Sequence, residues 1–267
     1  MTFMTSAFRP FGIDFFCLGR KFLVYNLVDR NLKVKYRRSA AGILWTLLSP
    51  MAVASIYFFV FKIILNVQVP HYLAFILSGI LAWTFFAQTV LEGMESITSN
   101  WGLASKVPVP LQVFPFVGTV TNLVNFVLAL PVIFAACLFS GVELGLSLLL
   151  LPFYIVLLFL ITYSFALILA VFMVYFRDLK HAGGLIMQIW FYGTPVVYDE
   201  SLIPESYRWI LWANPLGQVF SGLHKLLVHG EWPSAAALGA SALWAAVFVL
   251  AALGVQRSMG HELVEKL

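Results

Sequence analysis

The sequence predicts an all-α membrane protein, and three observations carry that prediction. Of 267 residues, 61% are hydrophobic and only 10% are charged, against about 25% charged in a soluble domain. The mean hydropathy is +0.93. Long uncharged stretches recur at the ~20-residue length that a bilayer-spanning helix requires. So few charges cannot cover a water-facing surface, so lipid is the solvent for most of the exterior.

The first element is a basic amphipathic helix. Phe11, Phe15, Leu18, Phe22, Tyr25, Leu32 and Tyr36 recur at threes, fours and one seven, which is a helical period. Arg9, Arg20, Lys21, Arg30, Lys33, Lys35, Arg37 and Arg38 fill much of the remainder. Such a helix lies in the membrane interface rather than crossing it. A plain charge cluster that sets topology is the simpler reading. The charges leave no apolar stretch followed by a small-residue cleavage site, so no cleavable signal peptide is expected.

Five spans follow, over residues 43–65, 73–91, 113–140, 144–176 and 234–256. A sixth segment, 182–198, is short and interrupted by Gly183, Gly184, Gly193 and Pro195. It reads as a span with a broken outer end or as a partly re-entrant helix. Six spans with a cytoplasmic N-terminus place both termini in the cytoplasm. That orientation leaves only Lys62, Arg208 and Lys225 of the 16 Lys and Arg residues outside, in keeping with the positive-inside rule. The whole chain, 1–267, reads as one transmembrane domain. Residues 1–40 form the interface helix, 41–256 the six-span bundle and 257–267 a cytoplasmic tail.

Two connections stand out. The inner loop carries Trp101, Gly102, Leu103, Ala104, Ser105 and Lys106 ahead of Pro108 and Pro110. A short surface helix stopped by proline fits there, either as a knob for a cytoplasmic partner or as a plain capped connector. In the outer segment 199–233, Pro204 can open a helix that stops before Asn214, and Pro215 can open a second that ends near Gly230. Trp209, Trp212, Leu216, Phe220, Leu223 and Leu227 make both apolar on one side. The pair would lie on, or dip into, the outer face of the bilayer; an ordinary aromatic belt is the other reading.

Aromatic residues are 16% of the chain. Trp83 and Phe86 share a helix face, and Trp190, Phe191 and Tyr192 sit in the broken segment, with Tyr198 at its end. An aromatic ring can stack on the C–H face of a sugar without gripping it, which suits a sliding polymer. Packing and lipid contact explain the same residues.

The expected chemistry is sparse. The sequence holds no P-loop, no metalloprotease helix motif and no nucleophile elbow. The two cysteines and five histidines show no metal-ligand spacing. No carboxylate falls mid-span, whereas ion-coupled carriers keep ionisable groups there. Energy for transport would therefore come from another subunit. The neighbours Arg177 and Asp178 point to different sides of a helix, which argues against an embedded transferase. An ATPase-free channel shares the topology but needs no coupling knob. The basic residues already have a membrane explanation, so no nucleic-acid partner is expected.

Four motifs in order resemble the permease subunits of polysaccharide ABC exporters. They are KYRRSAAGILWTLLSP at 35–50, VYFRDLK at 174–180, YGTPVVY at 192–198, and Ile203–Pro204 with Asn214–Pro215–Leu216. The O-antigen branch is more similar than the teichoic acid or capsule branches. The resemblance implies a homodimer in a bacterial cytoplasmic (inner) membrane, joined to two copies of a separate P-loop ATPase that holds ATP and Mg. It implies that the interface helix (Phe15, Phe22, Arg30, Lys33, Arg37, Arg38) and residues 101–106 touch that ATPase. It also implies a channel lined by Trp83, Phe86, Trp190, Phe191, Tyr192 and Tyr198, and an outer gate of Pro204, Trp209, Trp212, Asn214, Pro215 and Phe220. The implied substrate is a lipid-linked polysaccharide. The chain itself would bear no catalytic residue, metal or cofactor.

Overall fold

A computed structural model describes residues 14–36, 44–106 and 109–259. The described residues form helices and turns, without a strand. A 3-10 turn, Leu18–Arg20, leads into α1 (Lys21–Tyr36). Helix α2 (Trp45–Phe58) contains Pro50 and continues as a π-helical turn, Phe59–Ile64. Then come α3 (Tyr72–Ser99), the single turn α4 (Trp101–Ala104) and α5 (Val113–Phe139). A 3-10 turn, Leu146–Leu150, precedes α6 (Leu151–Tyr175). Short helices follow: α7 (Leu179–Gly193), α8 (Trp209–Ala213) and α9 (Gly217–His224), the last prolonged by a π-helical turn, Lys225–His229. The closing element is α10 (Ala235–Met259).

Five helices are long and apolar enough to cross a membrane: Trp45–Ile64, Tyr72–Ser99, Val113–Phe139, Leu146–Tyr175 and Ala235–Ser258. Helix α7 has 15 residues and spans about 22 Å, short of the ~30 Å hydrocarbon core. It ends where Thr194 turns extended, at φ −112° and ψ 140°, one residue before Pro195. A residue ahead of proline is disfavoured in the helical region.

Helix α3 is the axis of the bundle. In its apolar window 78% of residues are buried, against 11% for α2 and 17% for α10. It packs on α5 and α6, while α6 also carries α10. Lipid tails are as apolar as leucine, so this packing draws on close contact and hydrogen bonds rather than on escape from water. Three hydroxyls of α3 are matched within the helix itself. Ser78, Thr84 and Ser96 bond to the carbonyls of Phe75, Ile80 and Gly93 at 2.6–2.8 Å. Such back-bonding lets a helix carry polar residues in an apolar setting.

Helix α9 is buried along its whole length. The Phe220 ring lies 6.3 Å from Trp83, which is roughly 16 Å along α3 from its start at Tyr72. The approach of α9 to α6 depends on Gly222. A Cβ at that position would stand 2.2 Å from the Tyr154 ring.

Gly222→Ala should therefore destabilise the protein by about 1–3 kcal/mol, the usual cost of overpacking. Gly239→Ala should not, because a Cβ there meets nothing within 4 Å. Thermal unfolding of the two variants in the same detergent checks this.

Candidate functional site

Three regions carry the candidate residues. At the end of the bundle that holds α1, one apolar cluster joins the N-terminal segment, α4 and the adjoining ends of α3, α5, α6 and α10. The chain before α1 turns at Cys17, whose backbone is left-handed at φ 54°. Phe15 therefore sits ahead of the helix, buried 5.0 Å from Tyr163. The Tyr163 hydroxyl donates to the Phe15 carbonyl at 2.8 Å, and the Gln112 amide donates to the Asp14 carbonyl at 2.7 Å. Helix α1 turns Leu23, Val24, Leu27 and Val28 toward the cluster. Leu18, Phe22 and Tyr25 form an exposed apolar stripe on another side. The sequence period ran Phe15 and Phe22 together as one face; the bend at Cys17 separates them. Arg30 and Lys33 are exposed, with Lys33 paired to Asp29 at 2.7 Å. Arg37 and Arg38 lie outside the described residues.

Helix α4 is a one-turn knob. Asn100 anchors it: its carbonyl accepts from the amides of Leu103 and Ala104, and its side chain donates to the Ser96 carbonyl at 2.8 Å. Trp101, Leu103 and Ala104 pack into the same cluster as Phe15. Gly102, Ser105 and Lys106 are exposed. Two ties near this end were not legible in the sequence. Lys35 reaches Asn122 at 3.2 Å and Glu92 at 3.5 Å, while Glu92 also accepts from Asn122 and Gln88. Tyr36 donates to Asn125 at 2.6 Å, and burial raises the pKa of its hydroxyl above the ordinary value. Lys180, at the start of α7, pairs with Glu95 at 2.9 Å.

The second region is an aromatic groove of about 320 Å³ between α2, α3 and α7. Tyr57, Trp83, Phe191 and Tyr192 supply its rings, and none of its lining residues is charged. Phe86 and Trp190 stand apart from it. Phe86 is fully buried, stacked with Phe165 and edge-on to Trp190. The Trp190 indole donates to Asn214 at 3.0 Å. Asn214 also donates to the Gly193 carbonyl and the Thr194 hydroxyl, each at 2.9 Å, and accepts from the Leu216 amide at 3.0 Å. One amide thus ties the end of α7 to the junction of α8 and α9. The chain after α7 lies directly on α3: a Cβ at Gly79 would stand 2.1 Å from the Val196 carbonyl oxygen. The Tyr198 hydroxyl closes back on the Tyr192 carbonyl at 3.0 Å.

The third region is a polar cleft of about 470 Å³ at the opposite end of the bundle. Asp199 faces His229 at 3.5 Å, and Glu200 binds Lys225 at 2.7 Å and accepts from the Ser221 hydroxyl. His229 holds the Asp199 carboxyl well below the usual carboxylate range, outweighing burial. His224 is buried beside the cleft, stacked on Phe75 at 3.8 Å. Of the residues expected at an outer gate, Trp212 lines this cleft, Pro204 and Trp209 are exposed, and Pro215 is half-buried beside Asn214. Phe220 is fully buried against Trp83. The described residues hold no group of three or more His, Cys, Asp and Glu side chains able to grip a metal ion.

The sequence model of the ABC-2 type transporter family matches residues 23–228. The O-antigen export system permease protein RfbA of Myxococcus xanthus is 34% identical over 249 residues, covering 92% of this chain and 95% of its own length. A protein of the same name from Klebsiella pneumoniae is 30% identical over 209 residues, covering 78% of this chain and 81% of its own.

Replacing Asn214 by Ala should leave the Trp190 indole, the Gly193 carbonyl and the Leu216 amide without their partner. Each unsatisfied buried group costs about 1–3 kcal/mol, so thermal unfolding should show a loss of at least ~2 kcal/mol. Asn214→Asp should not recover the loss, because an ionised carboxylate there is buried and faces the Gly193 carbonyl.

Proposed function

The chain belongs to the ABC-2 type transporter family, and from that membership we propose that it is the membrane-spanning subunit of an ATP-driven exporter of lipid-linked polysaccharide, with O-antigen as the substrate class. The relatives named as O-antigen export permeases support this reading along nearly the whole chain. A subunit of this family is a transporter component rather than a catalyst.

The observation that carries the proposal is the uncharged aromatic groove between α2, α3 and α7. A polysaccharide offers C–H faces and hydroxyls rather than charge. The exposed Tyr192 ring and the half-buried Tyr57 ring can hold those faces weakly and release them, while a charged lining would grip or repel. One copy supplies only a groove, so a second copy closes it into a path wide enough for a polymer. The apolar residues of α2 and α7 that remain exposed, among them Ile56, Leu185, Ile189 and Tyr192, suit that closure. In the assembly α7 and the extended residues after it complete a sixth crossing. The α8–α9 hairpin re-enters from the outer face, with Asn214 near its deepest point.

ATP and Mg belong to a separate P-loop ATPase present in two copies. It docks at the α1 end, where α1 and α4 rest on one apolar cluster. Gly102, Ser105 and Lys106 of α4 offer the contact, with the exposed Arg30 and Lys33 of α1 beside them. Basic residues gather at this end, so it faces the cytoplasm of a bacterial inner membrane under the positive-inside rule, and both termini lie there.

Native mass spectrometry of the gently purified chain should find two copies with two copies of a P-loop ATPase; a complex that reproducibly lacks the ATPase overturns the reading. Replacing residues 101–106 by a Gly/Ser linker should abolish export with normal membrane levels. Tyr192→Ala should slow export by about 2- to 12-fold, from the ~0.5–1.5 kcal/mol of an aromatic contact. Surface polysaccharide measured in a deletion strain carrying each variant checks both.

A further inference from the structure

The polar cleft beyond the groove is built from paired side chains. It lies among the chain after α7, the α8–α9 hairpin and the start of α10. Its 470 Å³ volume falls in the range of about 300–1,000 Å³ typical of small-molecule sites. Asp199, Glu200 and Glu231 share the lining with Arg208, Lys225 and His229, so it offers hydrogen-bond acceptors and donors side by side.

The two inner carboxylates are fixed rather than mobile. Asp199 is held by His229 and by the Ser201 amide at 2.9 Å, and Glu200 by Lys225 and Ser221. An ionised carboxylate has about four lone-pair sites, so each keeps room to accept from a hydroxyl. Trp212, 46% exposed, lines the same cleft. Fixed acceptors, fixed donors such as Arg208 and Lys225, and an apolar ring are the set that recognises a neutral polyol. The cleft is also placed to receive one. Tyr198, which bonds to Tyr192 at the end of the groove, directly precedes Asp199.

We propose that this cleft is a saccharide-binding subsite that takes one or two neutral sugar units of the polymer as they leave the aromatic groove. The inference rests on the polysaccharide reading above. It adds a second, hydrogen-bonding site to the weak stacking path. A polymer held there at its leading end is hindered from sliding back between strokes.

The test uses the full-length chain in lipid nanodiscs and saturation-transfer NMR. The probes are free disaccharides of hexose, 6-deoxyhexose and N-acetylhexosamine. At least one disaccharide should bind saturably. Glu200→Gln should weaken it by about tenfold or more, the loss expected for a charge-assisted hydrogen bond, and Trp212→Ala by about 2- to 12-fold, the loss expected for a stacked ring. Gly239→Ala, which lies outside both the cleft and the groove, should leave it unchanged. The exposed Trp212 side chain makes its variant safe for folding, and thermal unfolding verifies that. No saturable binding by any probe overturns the subsite. So does binding that both cleft variants retain, or that Gly239→Ala alone abolishes. None of these outcomes touches the exporter reading, which fails separately if deleting the chain leaves surface polysaccharide unchanged.

Discussion

The helix break at Gly193, set by Pro195, is tied off by the side chains of Thr194, Tyr198 and Asn214, and Asn214 joins it to the hairpin. Ending a helix in apolar surroundings frees backbone groups that no water can satisfy, at several kcal/mol each. Thr194 and Tyr198 take the Trp190 and Tyr192 carbonyls, and Asn214 takes the Gly193 carbonyl while also bonding the Thr194 side chain and the Trp190 indole. With the break capped, the chain can leave α7, lie against Gly79 of α3, and return through α8 to the buried α9. The groove, the hairpin and the polar cleft all follow from that capped interruption. An uninterrupted helix would give a plain bundle with none of them.

At the other end, mechanics and packing share residues. The N-terminal segment and α4 belong to one cluster with α3, α5, α6 and α10, so force applied to either reaches the bundle through contacts already made. Close-packed interiors do not absorb displacement gradually. Glu92 and Glu95 extend this connection by pairing α3 to Lys35 and to Lys180. Helix α3 thereby touches both the α1 end and, through Trp83, the groove.

Much of the fold was legible in the sequence because spans are written in length and hydropathy. The expected 144–176 and 234–256 agree closely with Leu146–Tyr175 and Ala235–Ser258. Helix α3 runs to Ser99, past the expected end at residue 91, because Glu92 and Glu95 look like span-ending charges until their partners are seen. The aromatic groove was legible only in part. Composition marked Trp83, Phe86, Trp190, Phe191 and Tyr192 alike, but only packing separates Tyr192, which stays open, from Trp83, Phe86 and Phe191, which are buried, and from Trp190, held by Asn214. The polar cleft was invisible, since Asp199, Glu200, Ser221, Lys225 and His229 come from both sides of a hairpin whose fold depends on Asn214. Buried α9 was legible as an apolar stripe, not as a helix enclosed on every side.

The pairing of α3 has a consequence for the order in which the chain is made. Of the five long helices α3 has the lowest mean hydropathy, 1.7, and carries two carboxylates near its end. A charged group is costly in a bilayer unless it is partnered or at the edge. Lys35 precedes Glu92 by 57 residues, so it has left the ribosome before Glu92 enters the membrane. Lys180 follows Glu95 by 85 residues, and α5 and α6 must both be synthesised before it arrives. During translation, then, α3 is secured first at Glu92 by the N-terminal helix and only later at Glu95 by α7. The groove between α2, α3 and α7 is completed late in assembly, after the helices that support its axis are already in place.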